Sequence, residues 1–324
     1  MFTFRFDMRA PSFGAPARDL YTAAIEMTEW AEDKGLLAAL LCEHHGAEDG
    51  YLPAPLILAS AIAARTKKVP LSIAIIQLPF YDPVRLAEEM SVIDIISGGR
   101  VSYVGGLGYL PAEYEMMGED FKSRGKIADE KLSLLLKAKT GEPFEHEGRR
   151  IHVTPPPFTP GGPRMGWGGG SPPAARRAGK HGLDFMAQKE NPALGELYAE
   201  TCRANGHTPG ACFLPPRDMP TTTFVAEDVD KAWEELGDFL MHDVLSYAKW
   251  NEGNDDTSSL SFVKNAAELR AENRSHRIMS VDEAVGWVKG GMPLSLHPLI
   301  GGLPPELGWK YLRIVTDKVL PQLR

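Results

Sequence analysis

The chain has 324 residues with 43 acidic against 35 basic side chains, and its formal charge of −8 would repel a phosphate backbone, which argues against nucleic acid as a partner. Its 43% hydrophobic and 24% charged content is that of an ordinary folded protein with ample apolar surface for a large core. No run approaches the roughly 20 apolar residues of a membrane span, the N-terminus lacks the order of a signal peptide, and three cysteines (Cys42, Cys202, Cys212) without C-x-x-C spacing fit a reducing, cytoplasmic setting and no zinc ribbon or disulfide framework.

Phe2 to Met8 alternates apolar and polar residues as a first strand, and a helix capped by Asp19 runs to about Lys34, stopped by Gly35. The next stretch, Leu36 to Gly46, is a continuous apolar run that ends on Glu43, His44 and His45, the pattern of a strand buried on both faces. Pro53 and Pro55 open a second helix to Arg65, and Leu71 to Ile76 is strand three. A helix begun by Asp82 and Pro83 carries Leu86, Met90, Ile93 and Ile96 inward and ends at Ser97-Gly98-Gly99. Arg100 to Gly105 is strand four.

Ser123 to Lys139 reads as helix four, followed by a small hairpin from Phe144 to Val153 that turns at Glu147-Gly148. Arg164 to Trp167, Leu183 to Ala187, Thr221 to Val225 and Pro293 to Leu299 complete eight strands, with helices over Pro172 to His181, Ala193 to Asn205, Val229 to Tyr247, Ser280 to Lys289 and Pro304 to Leu320 between and after them. This alternation predicts a single (β/α)8 TIM barrel over residues 1–324 with insertions after strands 4 and 7. The polar stretch 250–279 is long for a connection inside a compact domain and is expected to be a lid.

In a barrel the C-terminal strand ends form the rim of the active site, so Glu43, His44 and His45 stand where chemistry is expected, although such a cluster also serves as a hydrogen-bonded rim. Adjacent strand residues point to opposite faces, and His44 rather than His45 is expected to move the proton. The turn Gly168-Gly169-Gly170-Ser171-Pro172 empties a strand into a helix start, where backbone N–H groups and the helix dipole favour an anion, or where glycine simply permits a tight turn. It is not a full dinucleotide fingerprint. Gly105 and Gly106, ending strand four, let a flat ligand approach the backbone, and Arg124 opens helix four within reach of the same rim. No metal-ligand set is read, and G-x-S-x-G, H-E-x-x-H and Gly-Lys-Ser/Thr motifs are absent.

The order Glu43-His44-His45, Ala63-Ala64-Arg65-Thr66-Lys67-Lys68, Leu78-Pro79, Asp82-Pro83-Val84-Arg85, Ser97-Gly98-Gly99-Arg100-Val101 and Gly170-Ser171 resembles the bacterial-luciferase-like flavin monooxygenases over most of Met1 to Met186. The resemblance implies an FMN-dependent monooxygenase that uses reduced flavin and O₂ to oxygenate a small organic substrate through a flavin hydroperoxide. It implies as well an NAD(P)H-dependent flavin reductase as the source of the flavin, and a homodimer. His44 matches the family's catalytic histidine, Arg124 and Ser171 its phosphate-binding arginine and serine, and Ala74-Ile75 the place of a non-proline cis peptide beneath the flavin. Gly106 stands where luciferases carry a reactive cysteine, which argues against light emission, and Leu107 where they carry a second phosphate-binding arginine. Three other readings remain: a hydride-transferring oxidoreductase on the same fold that uses the deazaflavin coenzyme, a non-catalytic flavin-binding relative, and an unrelated barrel isomerase or lyase holding a phosphorylated substrate at Gly168 to Ser171.

Overall fold

The computed structural model describes residues 1–252, 257 and 260–323. In chain order the elements are β1 (Phe2–Phe6), α1 (Ala17–Ala31), β2 (Leu36–Leu41), α2 (Pro55–Arg65), β3 (Leu71–Gln77), α3 (Pro83–Ser97), β4 (Val101–Gly106), α4 (Pro111–Met117) and α5 (Arg124–Ala138). A hairpin of β5 (Phe144–His146) and β6 (Arg149–Ile151) follows, then β7 (Met165–Gly168), α6 (Pro172–Lys180), β8 (Asp184–Met186), α7 (Pro192–Ala204) and β9 (Cys212–Phe213). The last third holds β10 (Thr222–Ala226), α8 (Val229–Trp250), α9 (Ala266–Glu272), β11 (His276–Ser280), α10 (Val281–Lys289), β12 (Leu294–Leu296) and α11 (Pro305–Ile314). None of the described helices is long and apolar enough to cross a membrane.

Local chemistry explains most boundaries. Asp82 accepts hydrogen bonds from the Val84 and Arg85 N–H groups, Pro83 fills the first turn, and Gly98 ends α3 in the left-handed conformation at φ 64°. Ser280 and Glu283 form a reciprocal capping box on α10. The β5–β6 turn falls on Glu147 and Gly148, both at positive φ. At α1 the cap position is Pro16 and makes no side-chain bond, so Asp19 sits inside the first turn instead of capping it.

Contacts group the chain into two compact units: Leu41–Gly46 with Pro53–Leu214, and Met1–Leu40 with Ala47–Leu52 and Pro215–Arg324. The first is built on a parallel sheet in the order β3-β4-β7-β8-β9. Parallel neighbours need long crossovers, and α3, α6 and the segment from α4 to the hairpin supply them. Leu86, Met90 and Ile93 of α3 are buried, but Ile96 is exposed with Val92 and Ile95, because Ile93 lies at the edge of the buried stripe and the next three-residue step turns about 60° beyond it.

The second unit orders its strands β11-β10-β12-β1-β2. Of the stretch expected to be a lid, residues 253–256 and 258–259 lie outside the described residues, whereas 266–272 form α9 and 276–280 form β11, fully paired in parallel with β10. Leu269 and Ile278 join the same apolar cluster as Phe224, Leu236, Leu240 and Tyr311. The closing helix, expected from Pro304 to Leu320, stays helical over that span and widens its turn over Val315–Val319.

This second unit buries a charged knot. Met8 takes φ 61° directly after β1, and Arg9 lies 1% exposed with its guanidinium 4.5 Å from the Trp250 ring centre, 4.8 Å from Tyr51 and 5.3 Å from Tyr247. Arg9 pairs with Asp49 and lies 3.6 Å from Asp7 and 3.8 Å from Asp243. Burial works against the charged forms of Asp49 and Asp243, but His242 and Arg9 on the first, and His276, Arg5 and His297 on the second, hold both carboxyls below the usual range.

Candidate active site

The ionisable groups gather where β2, β3 and β4 end. Glu43, His44 and His45 follow β2, Gln77 is the last residue of β3, and Tyr109 and Glu113 follow β4, Glu113 in the first turn of α4. The two imidazoles take separate partners, as alternation along an extended chain requires. His44 Nδ1 lies 2.8 Å from Glu113 Oε1, and its Nε2 lies 3.3 Å from the Tyr109 hydroxyl. His45 Nε2 lies 2.8 Å from Glu43 Oε1, with its ring edge-on to Phe80.

Glu113 Oε1 accepts two further hydrogen bonds, from the His45 backbone N–H at 2.8 Å and from Gln77 Nε2 at 3.3 Å. Burial opposes the charge on Glu113, but these bonds and the imidazole outweigh it and hold the carboxyl below its usual range. Glu43 goes the other way: its complete burial raises the carboxyl despite bonds from His45, the Gln77 N–H and Tyr81. Two neighbouring carboxyls are thus pushed apart, the pattern that assigns acid and base roles within a site. Glu113 and Gln77 escape sequence reading, since an acid inside Pro111-Ala112-Glu113-Tyr114 reads as a solvated helix charge; its place in the first turn after a glycine-rich strand end was the available signal.

Next to these groups the chain forms a shelf. The Ala74–Ile75 peptide is cis, as the resemblance implies, and the register of β3 against β4 shifts between Ala74 and Ile76. The Ile75 side chain fills the space that a Cβ at Gly106 or Gly168 would need, and Trp167 crowds Gly105 in the same way. Those glycines therefore keep the backbone flat under Ile75.

The expected anion cup is narrower than its sequence suggests. Gly169 lies at φ 148° and spends its N–H on Met186 O at 3.0 Å, while Pro172 and Pro173 carry none. Among the described residues, the Gly170 and Ser171 N–H groups remain without a backbone partner. Ser171 occupies the cap position of α6, but its hydroxyl makes no capping bond and is exposed. Arg124 rests on its own approach loop, Nη1 donating to Phe121 O at 2.7 Å and the guanidinium 4.0 Å from the Phe121 ring centre. Arg177, in the last turn of α6, bonds Gly125 O at 3.2 Å and Asp129 at 2.6 Å and so ties α6 to the first turns of α5. The donors here that suit an anion are the Gly170 and Ser171 N–H groups, the Ser171 hydroxyl and the Arg124 guanidinium, which has donors beyond the one given to Phe121 O.

These strand ends, with an acid–base pair beside a glycine-flattened shelf, define an α/β-barrel protein of the luciferase-like kind. Residues 4–293 match the family described as luciferase-like monooxygenase, and the chain belongs to that family. It is 27% identical over 281 residues to the 4-hydroxyprotoasukamycin monooxygenase of Streptomyces nodosus subsp. asukaensis, covering 82% of this chain and 75% of that protein. It is 32% identical over 133 residues to the oxygenase component of flavin-dependent trigonelline monooxygenase from Acinetobacter baylyi, covering 40% of this chain and 37% of that protein. The chain spans less than half the length of several curated relatives it matches.

Solved structures share the fold end to end. A monooxygenase from Streptomyces bottropensis superposes with TM-score 0.77 at 22% identity, covering 100% of both chains. The oxygenating constituent of 3,6-diketocamphane monooxygenase from Pseudomonas putida, in complex with FMN, gives 0.70 at 20% identity and covers 100% of this chain and 98% of that one. A secondary alcohol dehydrogenase dependent on the deazaflavin coenzyme gives 0.67 at 16% identity over 100% and 99%.

Proposed function

We propose that the protein is an FMN-dependent monooxygenase that takes reduced flavin from a separate reductase and oxygenates a small organic substrate with O₂. The observation that carries this reading is the buried His44–Glu113 pair standing two residues from the Ile75 shelf through Gln77, within a chain of the luciferase-like family. Reduced flavin, when bound, supplies the electrons that activate O₂. The chain's own residues do the rest. Ala74, Ile75, Gly105 and Gly106 offer a flat bed, and Gly170, Ser171 and Arg124 hold the phosphate. His44 exchanges a proton at the reacting oxygen, a task for which imidazole is the side chain best suited near neutral pH. The exposed apolar residues Ile57 of α2 and Val92, Ile95 and Ile96 of α3 support a homodimer formed through these helices.

A second reading rests on the same pair. A neutral imidazole backed by a carboxylate suits removal of the proton of an alcohol as its carbon gives up hydride, the reaction of a deazaflavin-dependent dehydrogenase. Titration of the protein with FMN, riboflavin and the deazaflavin coenzyme, followed by oxygen uptake with reduced flavin and by anaerobic hydride transfer from alcohols, separates the two. Tight binding of the deazaflavin and no oxygen uptake would replace the first reading by the second.

A further inference from the structure

We propose that Tyr109 is the residue through which His44 exchanges its proton with the reacting atom, so that Glu113, His44 and Tyr109 act as one relay. This rests on the acid–base reading of His44 and requires no choice between the two cofactors.

Glu113, held ionised, only accepts hydrogen bonds, so the proton on His44 sits at Nδ1 and points at Oε1. In that neutral tautomer Nε2 is an acceptor, and the hydroxyl 3.3 Å away on Tyr109 donates to it. A phenol oxygen that donates one hydrogen bond can also accept one, the contact that a hydroxyl of a bound molecule would make. His44 is 7% exposed, whereas Tyr109 is half-buried, so the phenol is the accessible end of the pair.

The placement follows from Gly108. It adopts φ 72°, and a Cβ there would overlap Gln77 Oε1, so this residue must be glycine for the chain to cross the Gln77 amide. That crossing sets the Tyr109 ring edge-on to His44, with centres 5.3 Å apart and planes at 80°. Gln77 Nε2 also donates to Glu113 Oε1 and to the Glu43 carbonyl, so the side chain that Gly108 passes is itself tied to the relay.

The transfer balances without an electron. The O–H bond of the bound hydroxyl breaks and its proton bonds to the Tyr109 oxygen; the phenol's own proton moves to Nε2; the imidazolium formed is held by the Glu113 carboxylate. Run backwards, the relay protonates an oxygen on the bound molecule. The ligand class is a molecule presenting an oxygen that gains or loses a proton beside the shelf. Glu43, His45 and Tyr81 are ionisable groups nearby: Glu43 bonds both His45 and Tyr81, and Gln77 and the His45 N–H connect them to Glu113.

Nitrogen NMR of the histidine rings in the labelled full-length protein reads the relay directly, with the His44 signals assigned by their loss in His44→Gln. The phenol's bond favours neutral imidazole, so Tyr109→Phe is expected to move the Nε2 resonance toward an unbonded nitrogen and to raise the His44 titration midpoint. Replacement of tyrosine by 3-fluorotyrosine, a stronger donor of nearly the same size, is expected to lower it, and gives a reading even if the Phe variant folds poorly. With cofactor and substrate in hand, Tyr109→Phe should reduce turnover at least tenfold, and adding His44→Gln should reduce it little further, because the two act in series. An unchanged His44 titration in both tyrosine replacements, or losses that multiply in the double variant, overturns the proposal. If the wild-type protein binds neither cofactor, the proposed function fails and the histidine titration alone decides the relay.

Discussion

Glu113 accepts the Nδ1 proton of His44 at 2.8 Å, joining the turn after β4 to the end of β2. The bond fixes one tautomer and one ring orientation, and its charge stabilises an imidazolium. Glu113→Gln keeps the shape and loses the charge, so turnover should fall about 10²-fold, the lower end of what general acid–base help contributes. The carboxyl's folded pKa lies below its unfolded value of about 4.3. Its contribution to stability is therefore complete above that value and disappears as pH falls through the folded one. Urea denaturation from about pH 3 to 6 should show a shallower acid loss in the variant than in the wild type.

The two histidines should separate cleanly in kinetics. His44→Ala is expected to cut turnover roughly 10²- to 10⁴-fold with little change in folding. His45→Ala removes a partner from buried Glu43, so its main effect should be on stability, at about 1 to 3 kcal/mol. Steady-state rates and thermal melts on both variants test this, and a silent His44→Ala would contradict the assignment.

Ile75 and Gly106 exclude each other's bulk. Gly106→Ala should destabilise by about 1 to 3 kcal/mol through overpacking, since its Cβ would overlap Ile75. Ile75→Ala in the same chain should recover most of that loss. Failure of the second substitution to rescue the first, read by denaturant midpoints, would show that the strain lies elsewhere.

Arg9 faces two buried aspartates, Asp7 and Asp243, and the half-buried Asp49, and breaking such a cluster leaves charge without compensation. Arg9→Met should destabilise by about 3 to 5 kcal/mol. Asp49 and Asp243 have folded pKa values below the unfolded value of about 3.9, so the stability they lend is present above it and lost as pH falls. Weakening that depression should move acid unfolding of the variant to higher pH, followed by circular dichroism.

Arg124 is the one cation among the groups assigned to the phosphate. Arg124→Ala should weaken FMN far more than riboflavin in fluorescence titration, because only the first carries the anion that it pairs with. Equal losses for both ligands would remove Arg124 from that role.

Strands and caps were legible because their signals are local: the apolar run before Glu43, the Asp82-Pro83 start of α3 and the Ser280 capping box each act within a few residues. What was hidden depends on distant partners. Glu113 acquires its role from His44, and β11 exists because β10 pairs with residues whose polar neighbours suggested a loop. Ile96 reads as core until the sheet fixes which stripe of α3 it covers, and the donors near Gly169 look abundant until one is claimed by Met186.

The two prolines that open α6 leave a helix mouth with few donors. On the function proposed here, the tail of the cofactor meets only two backbone N–H groups and side chains that solvent reaches. On that function so light a grip would make flavin a visitor, arriving reduced and departing oxidised to be reduced again elsewhere. The purified protein should then be colourless and should shed added flavin on a desalting column, and its throughput in the cell would follow the supply of reduced flavin more closely than its own abundance.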